Sequence, residues 1–187
     1  MDTLLPQAYL IGLVAILLIA AVVIGRQIWR VRKDEVTLAR LERSGEGAPD
    51  DAASLYELAS VQLRKRLYGQ AVDNLRRALR KAESDKEPAE ALALIQNALG
   101  FALAAQNNPK AALRHYRAAL AAKPDYPVAL NNLAFALEKQ GQLEEAIGHY
   151  RKVLALDASN GTARKRLQRL EGRLPSAAPS STPDPEL

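Results

Sequence analysis

The sequence predicts an all-α protein in three parts: an N-terminal transmembrane helix, a three-repeat solenoid of αα-hairpins, and a C-terminal capping helix. Two observations carry that prediction. One is an 18-residue run without a charged side chain, Ala8 to Gly25. The other is a pattern of apolar and small residues that recurs at a 34-residue step.

The N-terminal run, AYLIGLVAILLIAAVVIG, makes about 27 Å of helix at about 1.5 Å per residue, enough to cross the roughly 30 Å of a bilayer's hydrocarbon. A cleaved signal peptide would carry its basic residues before the apolar run. Here only Asp2 is charged ahead of it, and Arg26, Arg30, Arg32 and Lys33 follow. Segment 1–25 is therefore expected to stay as an anchor. Basic residues remain on the cytoplasmic side, so the N-terminus is expected to be translocated and the rest to face the cytoplasm or its organellar equivalent. Arg26, Trp29, Arg30 and Lys33 are the expected membrane-interface residues: an interfacial aromatic and a basic face toward lipid headgroups. Residues 26–43 read as a basic juxtamembrane helix. Segment 44–51, SGEGAPDD, reads as a flexible hinge because two glycines and a proline interrupt the pattern.

The repeat is clearest from Pro127 to Asn160. Leu130, Leu133 and Leu137 form one apolar stripe, Ala146, Tyr150, Val153 and Leu154 a second, and Gly141 divides them. A hairpin of two such helices leaves one side of each uncovered, so it needs neighbours. They are found at 93–126, where Leu99, Gly100, Leu103, Ala112, Tyr116, Ala119 and Leu120 keep the register, and at 52–85, with Leu55, Leu58, Ala59, Ala71, Leu75, Ala78 and Leu79. The small residues Ala59, Gly100 and Ala134, and the alanines Ala71, Ala112 and Ala146, let helix backbones approach closely. Pro124 is expected to end one helix and start the next at Val128. The insertion Lys86 to Leu92 is expected to lengthen the following helix, with Pro88 in its first turn. Segment 162–174 is predicted as the polar-backed cap of the 52–174 domain. The Pro/Ser tail, 175–187, is predicted to be disordered.

A 34-residue period with these marks resembles the tetratricopeptide repeat (TPR). The resemblance implies a concave groove lined by the first helix, helix A, of each repeat. Carried over position by position, it places Ala53, Tyr56, Ser60, Leu63 and Arg64 there in repeat one. Repeat two contributes Leu94, Asn97, Phe101, Ala104 and Ala105, and repeat three Val128, Asn131, Phe135, Glu138 and Lys139. Tyr56, Phe101 and Phe135 form an aromatic ladder suited to a peptide or partner helix; packing between repeats is the other use for the two phenylalanines. The subclass that clamps a chaperone's C-terminal carboxylate needs Lys and Asn in the first helix A and Lys and Arg in the third. This chain has Tyr56 and Ser60, then Val128 and Asn132.

Chemistry is not indicated. There is no cysteine, and the sequence has no phosphate-binding Gly-rich loop, zinc motif or nucleophile elbow. His115 and His149 occupy the same repeat position and read as surface residues. No enzyme activity, cofactor, metal or small-molecule substrate is expected. The net charge of +5 gathers beside the anchor and on the last helix, and RKRLQR lacks the interleaved aromatics of a nucleic-acid surface.

The order of parts, with RQIWRVRK followed by TLARLE and then the repeats, resembles the small TPR proteins of cyanobacteria and chloroplasts that assist photosystem I assembly. The resemblance covers about Leu5 to Leu170. It implies a non-catalytic factor in the thylakoid membrane whose partners are photosystem I subunits or assembly intermediates. A bacterial inner-membrane scaffold for envelope or cytochrome biogenesis is the alternative.

Overall fold

The computed structural model describes residues 12–29, 32 and 51–173. Arg30, Lys33, the juxtamembrane helix beyond them, most of the hinge and the tail all lie outside the described residues. Among the described residues every regular element is helical.

The first unit contains α1, Gly12–Trp29, long and apolar enough to cross a membrane and with none of its surface buried in the protein. Arg26 and Trp29 are both exposed on it. The second unit begins at Asp51 and holds seven helices: α2 (Ala52–Arg64), α3 (Tyr68–Ser84), α4 (Ala89–Ala105), α5 (Pro109–Ala122), α6 (Pro127–Lys139), α7 (Leu143–Leu156) and α8 (Gly161–Glu171). Consecutive helices pack against one another, giving three A/B hairpins and a last helix against α7.

Helix ends correct the expected boundaries in small ways. Asp51 belongs to the repeat domain, since its carboxylate accepts the Ser54 N–H at 2.8 Å and caps α2. Pro127 opens α6 at its first turn, while Lys123 caps the preceding helix and Pro124 lies between. Pro88 precedes α4 as its N-cap. With the inserted segment ahead of it, α4 has 17 residues where α2 and α6 have 13.

The turn from helix A to helix B is the same in all three repeats. Arg66, Asn107 and Gly141 stand at the equivalent position with φ of 61°, 60° and 78°. In each case the next residue's N–H reaches back five residues in the Schellman pattern: Leu67 to the Gln62 carbonyl, Asn108 to Leu103 and Gln142 to Leu137. Glycine takes this left-handed conformation freely, asparagine with little cost and arginine with more. Arg66→Gly is therefore expected to stabilise the domain by about 0.5–1 kcal/mol, seen as a higher urea midpoint. Asn107→Gly should change it less.

The core runs along the seam between A and B helices. Leu55, Leu75, Leu99, Leu133, Leu137, Tyr150 and Val153 are buried there, and Ala71, Ala112 and Ala146 are fully enclosed. Gly100 marks the tightest approach. A Cβ at that position would sit 2.7 Å from Cε1 of the buried Tyr116, so a larger residue there would require the Tyr116 ring to shift. Repeat three meets the same position with Ala134 and a tyrosine, Tyr150, whose hydroxyl is drawn to Glu138.

Candidate interaction groove

Each A helix presents its predicted face differently. On α4 and α6 an apolar row is left open to solvent: Leu94 is 42% exposed, Phe101 45%, Val128 52% and Phe135 39%. Leu94 and Phe101, like Val128 and Phe135, are seven residues apart, two turns of helix, so each pair lies on one line along its helix. Phe101 and Phe135 thus both keep open surface, although Arg166 of α8 packs over the Phe135 ring. Ala53, Ala104 and Ala105 are also exposed. Their small side chains keep the surface around the row shallow.

Tyr56 is half-buried and borders an apolar pocket of about 170 Å³ between the starts of α2 and α4. Ser60 spends its hydroxyl on the Tyr56 carbonyl one turn back, at 2.8 Å. Arg64 is exposed at the end of α2. Lys139 is exposed at the end of α6, its ammonium 5.5 Å from the centre of the Phe135 ring.

Three predicted contact residues are committed elsewhere. Asn97 is only 9% exposed and accepts a hydrogen bond from Asn132 at 2.9 Å, so it ties α4 to α6 beneath the groove. Beside it, burial and the neighbouring Tyr56 raise the Tyr126 phenol above its ordinary pKa, partly offset by a hydrogen bond with Asn97. Asn131 donates to the Asn160 side chain at 3.3 Å, and that oxygen also accepts the Ala163 N–H that starts α8. Asn131 Oδ1 is enclosed without a hydrogen-bond partner.

Glu138 is the third. Its side chain is 10% exposed and receives Arg166 at 3.0 Å, the Tyr150 hydroxyl at 3.2 Å and Arg169. Burial pushes its pKa up, but the hydrogen bond and charge of Arg166, with Tyr150 and Arg169, outweigh burial and hold it below the ordinary carboxylate value. Arg166 also lies over the Phe135 ring at 4.3 Å. The carboxylate thus clasps the cap helix to α6 rather than facing a partner. Its role was hidden because no local pattern links residues 138 and 166. Continuing the 34-residue step past Asn160 would have shown α8 in the next helix A register.

His115 and His149 are half-buried on the B helices; His115 Nδ1 bonds Gln96 at 2.7 Å, and His149 lies 3.8 Å from Glu145. Burial lowers the pKa of both. No cluster of three or more metal-ligating side chains occurs among the described residues.

A chain with this arrangement has close counterparts. The ycf37 protein of Guillardia theta is 37% identical over 174 residues, covering 93% of this chain and 97% of its own length. The chain belongs to the ycf37 family. The family's Cyanophora paradoxa member is 31% identical over 129 residues, 69% of this chain and 73% of that one. A tetratricopeptide-repeat family model matches residues 103–170 of this chain, from the last turn of α4 into α8. The repeat architecture is shared with the first TPR domain of Spaghetti (RPAP3), solved bound to an HSP90 peptide. That structure superposes with a TM-score of 0.59 at 21% identity, covering 65% of this chain and 90% of that one. TPR arrays are scaffolds for protein–protein interaction.

Proposed function

We propose that this ycf37-family chain is a membrane-anchored adaptor that assists the assembly or stability of photosystem I. It acts without catalysis, holding a client segment against its A-helix face. The observation that carries the reading is the open apolar row Leu94, Phe101, Val128 and Phe135. Exposed apolar side chains of this size, aligned in pairs on two A helices, are what a binding surface needs. The algal plastid origin of the relatives favours a photosynthetic client over the envelope or cytochrome biogenesis alternative.

In this reading α1 crosses the thylakoid (or cytoplasmic) membrane with its N-terminus translocated. The basic residues from Arg26 to Lys33 meet lipid headgroups on the cytoplasmic or stromal side, where the repeats lie. Anchoring confines the groove to two dimensions and raises its effective concentration near membrane-embedded clients.

Co-purification from solubilised thylakoids is expected to recover photosystem I subunits, and deletion to lower their accumulation. A photo-crosslinker at Phe101, on helix A, is expected to capture a subunit that one at Arg77, on helix B, does not. Recovery of no photosystem I subunit together with normal accumulation in the deletion strain would overturn the proposal.

A further inference from the structure

The two ends of the groove differ in chemistry. At the first end is the apolar pocket, formed by Ala52, Ala53 and Tyr56 on α2 and Ala91, Leu94 and Ile95 on α4, with exposed Glu87 at its border. Its volume of about 170 Å³ is below the roughly 300 Å³ at which small-molecule sites begin. It suits one aliphatic or aromatic side chain. Such a buried anchor is where binding energy concentrates in a protein interface.

At the other end the apolar row stops. Stepping 34 residues from Val128, Asn131, Phe135 and Lys139 leads to Thr162, Lys165, Arg169 and Arg173 on or just beyond α8. All four are exposed. The nearby carboxylates are already engaged: Glu138 holds Arg166 and Arg169, and Glu171 pairs with Arg151. Among the described residues no carboxylate pairs with Lys139, Lys165 or Arg173. The groove therefore ends in an uncompensated basic edge, while Glu87 disfavours an acidic group at the pocket end.

Resting on the adaptor reading, we propose that the groove recognises a client segment with an apolar anchor for the α2/α4 pocket and an acidic cluster for the α8 edge. Neighbouring packed helices lie about 8–10 Å apart. Two and a half such steps separate the pocket from α8, so the two features stand about 20–25 Å apart, or about 15 residues of helix.

The test uses the full chain in nanodiscs of neutral lipid and two fluorescent helical peptides. Both carry a Phe anchor and an apolar stripe. One ends in three Glu about 15 residues from the anchor, the other in three Lys. At low salt the Glu peptide is expected to bind at least about tenfold more tightly, an advantage that shrinks at high salt as charges are screened. The triple change Lys139→Glu, Lys165→Glu and Arg173→Glu is expected to reverse the preference. Ala53→Phe, which fills the pocket from an exposed position, is expected to weaken both peptides, with unchanged circular dichroism showing that the fold is intact.

Equal affinity for the two peptides, or a preference unmoved by the triple change, would overturn the inference. Tighter Glu-peptide binding after removal of residues 175–187 would also overturn it, by assigning the edge to the chain's own acidic end. If neither peptide bound but Phe101 still crosslinked to photosystem I, the partner chemistry would be wrong and the adaptor reading would stand. Loss of the crosslink as well would overturn both.

Discussion

Leu133→Ala is expected to lower the stability of the repeat domain by about 2–5 kcal/mol, the range for removing a buried leucine side chain and leaving a partly collapsed cavity. Leu133 is 1% exposed and belongs to the continuous core cluster with Leu130, Leu137 and Tyr150. Its repeat-two counterpart, Leu99, is buried to the same degree. Each layer of a solenoid is held mainly by its neighbours, so weakening α6 loosens the α7 and α8 layers that depend on it. The expected result is a lower urea midpoint by circular dichroism, with hydrogen exchange accelerating in α6 to α8 more than in α2 and α3. Leu94→Ala, at an exposed position, is the control and should stay within about 0.5 kcal/mol.

Glu138→Gln is expected to cost about 2 kcal/mol, because hydrogen bonds to a charged group from Arg166, Arg169 and Tyr150 lose their ionic component together. The loss should fall on the cap, with α8 exchanging faster while α2 to α5 are unchanged. The pH dependence has a definite sign. The folded-state pKa of Glu138 lies below the ordinary glutamate value of 4.5, so its contribution is fully present above about that pH and disappears as pH falls through the lower folded value. The urea midpoint of the wild-type chain should therefore fall more steeply on acidification below pH 4.5 than that of Glu138→Gln. Parallel pH profiles would show that the carboxylate is not what holds α8.

Much of the candidate groove was legible because a solenoid repeats its environment. The 34-residue step identifies the lines along α4 and α6, and Phe101 and Phe135 are open there. Polar members of the same positions were harder. Asn97, Asn131 and Glu138 share a face with the open residues, but their hydrogen-bonding groups found partners on neighbouring helices at Asn132, Asn160 and Arg166. A polar side chain on a groove position serves either a ligand or an adjacent helix, and the period alone does not distinguish them. The left-handed turn illustrates the reverse case: Gly141 announces it, whereas Arg66 conceals it, and only shared geometry shows they are one feature.

By itself the sequence determined the all-helical class, the three hairpins and their register, and the apolar N-terminal helix, and it nominated one face of each A helix as a candidate groove. These follow from spacing, because burial in a repeated stack imposes the same apolar and small residues at each step. The tertiary structure decided which groove residues are left free, that Asn131 and Glu138 serve the cap helix, and that a pocket opens between α2 and α4. Those outcomes depend on side chains some 30 residues apart meeting across helices. Their distances are set by packing, which no local pattern records.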